Sequence, residues 1–170
     1  QDFLRDTAEL GITQGDYLSE AILETLSETS SARMRNLGYF DFSKNNYFFE
    51  ADTLSIPDSA KLELIINEYT RNESSKDAEP IRRYYIGNVD ISYPKSLKIK
   101  EKILTSLNTV KPGEVYSEDV VNKTYSRLSE LRLFSSVNIG MTPRDTNLVD
   151  CSISLTQSKL QGFKVNLEGS

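Results

Sequence analysis

The chain has 170 residues, 38% of them hydrophobic and 26% charged, with a net charge of −5 and a pI near 4.9. That acidic balance excludes a basic nucleic-acid footprint, and the lack of any histidine removes the commonest metal ligand and general base. Apolar runs such as Leu64-Ile65-Ile66 are too short for a bilayer-spanning helix. The first residue is Gln1 with no signal sequence before it, so the chain reads as a piece of a longer protein.

Asp2 to Leu10 shows no convincing first strand. Gly15-Asp16-Tyr17 then opens a run containing Ser19-Glu20 that leads into a helix. The polar stretch Ser27 to Arg33 (SETSSAR) is expected to break that helix, with Ser30 or Ser31 recapping it. The helix ends on Leu37-Gly38-Tyr39-Phe40, where Gly38 suits a left-handed cap. Phe40 to Thr53 (FDFSKNNYFFEADT) reads as a long strand or bulged hairpin. Tyr47, Phe48 and Phe49 follow one another within it, so their side chains point both ways and at least one face of them belongs to a core. Leu62, Leu64, Ile66 and, at its end, Glu68 mark a last strand.

Asn72 to Pro80 (NESSKDAEP) is polar, charged and closed by proline, so it reads as a boundary. The chain divides there into residues 1–79 and 80–158, with a tail over 159–170. The boundary is short enough to hold the two units close and could act as a hinge.

In the second unit, Tyr84 to Tyr93 alternates on Gly87, Val89, Ile91 and Tyr93 and stops at Pro94, a strand with one buried face. Ser96 to Leu107 reads as an amphipathic helix on Ile99, Ile103 and Leu107, with Leu104 beside them and Ser96 as cap. Val110 to Tyr116, with its Pro-Gly, is a connector. A second helix is expected from Ser117 to Leu131, capped by Ser117, with Glu118 and Asp119 at its positive end. Its stripe is Val121, Tyr125, Leu128 and Leu131. Ser136 to Thr142 alternates on Val137, Ile139 and Met141 before Pro143, and Arg144 to Asn147 is a turn. Leu148 to Thr156 alternates on Val149, Cys151, Ile153 and Leu155. The order is strand, helix, helix, strand, strand.

The first unit repeats the latter part of that order. Gly15, Tyr17 and Ser19-Glu20 match Gly113, Tyr116 and Ser117-Glu118, and Leu37-x-x-Phe40 matches Leu131-x-x-Phe134. The first unit is longer between these marks by about one helical turn. Each aromatic is expected to wedge between helix and sheet, one turn after its leucine. If Phe134 is fully buried, truncating it to alanine costs about 3–5 kcal/mol.

Taken together, these features resemble a tandem of POTRA domains from BamA/TamA-like outer-membrane assembly proteins, including the TamA-like lipoprotein branch. In the second unit the resemblance rests on Gly113, Tyr116, Leu128, Leu131, Phe134, Val137 to Ile139 and Val149 to Leu155. In the first it rests on Leu37 to Phe40 and Phe42 to Thr53. It implies an α+β fold, each unit β-α-α-β-β with two helices on a three-stranded mixed sheet. Gly162 to Ser170 (GFKVNLEGS) resembles the start of a first barrel strand, which implies that residues 80–158 are the membrane-proximal POTRA before a barrel outside this chain.

No residue pattern points to an enzyme or a cofactor. Ser92 to Lys95 is a Ser-x-x-Lys with Pro94 inside it at a strand end, the wrong setting for a nucleophile. Asp145, Asn147 and Asp150 do not follow calcium-loop spacing and read as a hairpin turn. Cys151 falls on an apolar strand face and reads as a buried small hydrophobe. No glycine-rich phosphate loop is present.

The resemblance implies a periplasmic, non-enzymatic module that binds unfolded outer-membrane clients or periplasmic accessory proteins and feeds the barrel. The route it implies is β-augmentation, the pairing of an extended chain with a sheet edge. In the POTRA fold the third strand is central and the second is an edge. The expected binding residues are therefore Ser136, Val137, Asn138, Ile139, Gly140 and Met141 in the second unit, and Tyr47, Phe48 and Phe49 in the first. Leu37, Gly38, Phe40, Gly113, Tyr116, Leu131 and Phe134 are expected to be structural. The alternatives are a POTRA pair of a two-partner-type secretion transporter, and a structural spacer that binds no client.

Overall fold

Ser19 accepts a hydrogen bond from the Ile22 main-chain N–H and so opens helix α1, Glu20–Asn36. In the computed structural model of the protein, residues 10–54, 59–68, 80–96, 99–144 and 147–158 are described. The expectations about a first strand, the inter-unit segment and a barrel-strand tail fall largely on residues outside these.

The expected break in α1 does not occur; the helix runs through SETSSAR without interruption. Its buried serines all find partners with the helix intact, which removes the reason for a new cap. The Ser27 hydroxyl donates to the Leu23 carbonyl at 2.8 Å and the Ser31 hydroxyl to the Glu28 carbonyl at 2.9 Å. The Ser30 hydroxyl pairs with the Tyr47 hydroxyl in the core. Gly38 follows the helix at φ +104°, the left-handed cap expected of it.

The stretch after Phe42 is not extended throughout. Ser43 and Asn46 close a single 3-10 turn over Lys44–Asn46, and strand β1 begins only at Tyr47, ending at Asp52. β1 pairs antiparallel with β2, Lys61–Ile66, in the register Tyr47↔Ile66; Glu68 lies beyond the strand. Met34, Phe42 and Tyr47 form this unit's core, with Phe49, Leu64 and Ile66 packed against it.

The second unit has the order β3 (Tyr85–Ser92), α2 (Glu101–Leu107), α3 (Glu118–Glu130), β4 (Phe134–Pro143), β5 (Leu148–Gln157). The sheet order is β3-β5-β4, with β3 parallel and β4 antiparallel to β5. β5 is central, and its alternating Val149, Cys151, Ile153 and Leu155 are all buried, as its sequence predicts. Burial pushes the Cys151 thiol up to about 11, so it stays neutral in the core.

β3 departs from simple alternation. A bulge between Ile86 and Val89 makes Ile86 the buried residue and takes Gly87 off the expected core face. A Cβ at Gly87 would stand 2.3 Å from an Asp150 carboxylate oxygen, so any larger residue there displaces that carboxylate. That carboxylate accepts the Asn88 N–H at 2.7 Å and pairs with Arg144 at 2.5 Å. The Asn88 N–H first, and Arg144 with it, hold Asp150 below its ordinary pKa. Asp150 is thus a stitch across the sheet end, and among the described residues no acid cluster suited to a metal ion forms.

α2 begins five residues later than Ser96. The Ser96 hydroxyl donates to the Gln157 side chain at 2.9 Å instead of capping. Leu104 is the buried residue of α2, and Ile103 faces outward. In α3 the buried positions are Thr124 and Leu128, while Tyr125 is 50% exposed. A β-branched polar residue fits the core because the Thr124 hydroxyl joins Thr109 (2.7 Å) and Asn108 (3.4 Å) in the link between the helices.

The repeated Leu-x-x-Phe ends differ from expectation. Leu131 and Phe134 are half-buried, with Phe134 against the second core. Leu37 is 42% exposed and is no wedge. Phe40 packs not on its own unit but on the second core, edge-on to Tyr84 and Tyr116. The glycine match is closer: Gly15 and Gly113 both have positive φ, but Tyr17 is 87% exposed where Tyr116 is buried. Arg132, aligned with Gly38, takes φ 53° without being glycine, a conformation that costs roughly 1 kcal/mol.

Burial raises the Tyr116 pKa to about 12, assisted by Glu118 and opposed by Arg35, and burial together with Asp41 raises that of Tyr84. Both tyrosines are favoured neutral in the folded state, so their contribution is complete below the ordinary phenol pKa of about 10 and is lost as pH climbs through the folded values. Urea midpoints should therefore hold steady to about pH 10 and fall between about pH 10 and 12, and Tyr116→Phe should flatten that fall.

Candidate protein-binding edges

β4 lies at the edge of its sheet, and its hydrogen-bond phase follows from one contact. Arg144 N–H donates to the Leu148 carbonyl at 2.9 Å, in the same register as Thr142↔Asp150, Gly140↔Ser152, Asn138↔Ser154 and Ser136↔Thr156. In an antiparallel ladder, bonded and non-bonded pairs alternate. Ser136, Asn138, Gly140 and Thr142 therefore bond inward to β5. Val137, Ile139 and Met141 turn their main-chain N–H and C=O away from β5, on the side where no strand pairs among the described residues. Their side chains pack toward the core, while Ser136 and Asn138 are exposed on the opposite face. Pro143, which has no N–H, falls at an outward position, where it breaks no ladder bond.

β1 repeats the phase. Asn67 N–H donates to the Asn46 carbonyl at 2.8 Å, so Phe48 bonds inward to β2 while Tyr47, Phe49 and Ala51 present main-chain groups outward. Among the described residues β2 is the strand partner of β1. The three aromatics divide as their succession predicts. Tyr47 is buried, Phe49 packs on the core, and Phe48 is 50% exposed. Phe48 borders an open groove with Leu23 and Glu24 of α1 and Lys44. Lys44 pairs with Glu24 and Glu28 at 2.5 and 2.9 Å, which raises the lysine and lowers Glu24 from their ordinary values.

The structural residues fall in two groups. Gly113 and Tyr116 hold the start of β3: Gly113 N–H donates to the Ile86 carbonyl at 2.8 Å and Tyr116 N–H to the Tyr84 carbonyl at 2.9 Å. With the isolated bridge between Tyr85 and Val115, these bonds cover the first part of the β3 edge. Gly38 and Phe40 instead meet the second unit. Ser92, of the Ser-x-x-Lys, ends β3, and its hydroxyl donates to the Ile153 carbonyl at 3.4 Å.

The second unit is thus an α+β module in which two helices cover a mixed three-stranded sheet of β-α-α-β-β order. Residues 84–158 match the family model for POTRA, described as "Surface antigen variable number repeat". The crystal structure of BamA from Haemophilus ducreyi lacking POTRA domains 1-3 is similar at 14% identity and TM-score 0.68, over 93% of this chain and 27% of that one. Haemophilus influenzae BamA POTRA3-5 is similar at 15% identity and TM-score 0.57, over 88% of this chain and 55% of that one. At such identity the likeness shows the fold, and it extends into the first unit. This chain spans little more than half of one of these structures and about a quarter of the other. No curated protein sequence matches it significantly.

Proposed function

We propose that this chain is the periplasmic, non-enzymatic part of an outer-membrane β-barrel assembly protein, and that the β4 edge receives extended segments of unfolded outer-membrane proteins or of accessory proteins. The observation that carries this reading is the phase of β4. Val137, Ile139 and Met141 offer main-chain donors and acceptors outward in one unbroken row. Backbone pairing ignores side-chain identity, which suits a receiver of many clients. The Tyr47 to Phe49 edge offers a second row of the same phase, with Phe48 as an apolar contact beside it. The POTRA match and the likeness in fold to the two BamA structures support the cellular setting.

A photo-crosslinker at the exposed Asn138 tests it. It should capture an unfolded outer-membrane protein chain, and Ile139→Pro, which deletes one outward N–H, should reduce capture about tenfold or more, the equivalent of roughly 1.4 kcal/mol. Unchanged capture in a folded Ile139→Pro variant would leave β4 as scaffold and favour a spacer.

A further inference from the structure

The end of α1 meets the second unit through a set of contacts that neither unit could make alone. Helix α3 has Ser117 at its N-cap position, but the Ser117 hydroxyl caps nothing in its own helix. It donates instead to Asn36 Oδ1 at 3.0 Å, and the same oxygen accepts the Asp119 main-chain N–H at 2.8 Å. Asp119 is the second residue of α3, and its N–H is one that a helix's own cap side chain ordinarily satisfies. Asn36, on the last turn of α1, is therefore the cap of α3.

The neighbouring residues extend the contact. Arg35 Nε pairs with Glu118 Oε2 at 2.9 Å, at the first turn of the same helix. The Gly38 carbonyl accepts the Tyr84 N–H at 2.8 Å, and the Tyr84 hydroxyl donates to Asp41 at 2.5 Å. The Phe40 ring lies 5.7 Å from Tyr84 and 5.0 Å from Tyr116, edge-on to both. A Cβ on Gly38 would come within 2.7 Å of Val115, so the backbone approach there is close.

We propose that these contacts make the two units one rigid body. Asn36 and Phe40 serve the second unit as its helix cap and a wall of its core, and the orientation between units is set by this junction, not by the composition of the segment joining them. The inference is independent of whether β4 binds clients. It replaces a hinge at Asn72 to Pro80 with a fixed joint at Arg35 to Asp41.

Spin labels on cysteines placed at the exposed Thr29 of α1 and Lys102 of α2, in the full chain, read the orientation directly. A single narrow distance distribution is expected, and it should persist when residues 72–79 are replaced by a Gly-Ser segment of equal length. Phe40→Ala combined with Asn36→Ala should broaden it. Asn36→Ala alone should speed amide exchange at Asp119 by about tenfold while the remaining α3 amides keep their protection, which separates a lost cap from an unfolded helix. A broad distribution in the parent chain, broadening by the Gly-Ser replacement, or a narrow distribution that survives the double substitution would each overturn the proposal.

Discussion

Asn138→Pro should unfold the second unit, while Ile139→Pro, one residue on, should leave it folded. The two positions differ in the direction of their main chain. Asn138 bonds inward to Ser154, so proline there deletes a ladder bond next to the central strand, at a cost of about 3 kcal/mol or more. Ile139 points its N–H to the edge, so proline deletes no bond to β5. What Ile139→Pro does lose is a half-buried side chain, about 1–2 kcal/mol. Urea midpoints followed by circular dichroism check the contrast. Equal losses at both positions would mean that the ladder phase deduced from Arg144 and Leu148 is wrong.

Leu128→Ala should cost more than Phe134→Ala although phenylalanine is the larger side chain. Leu128 is 0% exposed, and its removal leaves a cavity among fully packed neighbours, at about 3–5 kcal/mol. Phe134 is half-buried at the start of β4, so part of its ring is already in water and the gap left can be filled by solvent. A loss of about 2 kcal/mol is expected, below the range for a fully buried ring. Denaturation of both variants side by side gives the order. A larger loss at Phe134 would restore the aromatic as the main wedge of this unit.

The parts of the fold that were legible in the sequence are those where one face of an element decides everything. β5 alternates strictly because one face lies under both helices, and its four core residues follow from that pattern. β3 misled because its bulge at Gly87 shifts the alternation by a residue, and what holds the bulge, Asp150, lies in another strand. In α2 and α3 the apolar stripe of the sequence lies slightly out of phase with the buried face. Ile103 and Tyr125 look like core residues, but Leu104 and a hydrogen-bonded Thr124 take those places. The repeat aligns Phe40 with Phe134, but the turn of Phe40 toward the other unit depends on tertiary contacts that no local pattern records. The equivalence of Gly38 and Arg132, by contrast, was contained in the aligned repeat, since both occupy the left-handed position after a helix.

The family resemblance points to the candidate edge, and the sequence also carries a signal for its phase. Pro143 cannot donate, so within β4 it must stand at an outward position, and Val137, Ile139 and Met141 share its parity. The proline that closes the strand thus also marks which residues turn their main chain outward. The aromatic run in β1 contains no such mark, and there only the Asn46–Asn67 contact fixes which main-chain groups face out.

Residue-by-residue amide exchange of β4, with and without a saturating extended peptide of alternating apolar and polar residues, tests pairing at this edge most directly. Binding by strand addition should slow exchange at Val137, Ile139 and Met141 by tenfold or more and leave Asn138, Gly140 and Thr142, already bonded to β5, nearly unchanged. Peptide binding with no such alternation in β4, or with the new protection elsewhere in the unit, would contradict it.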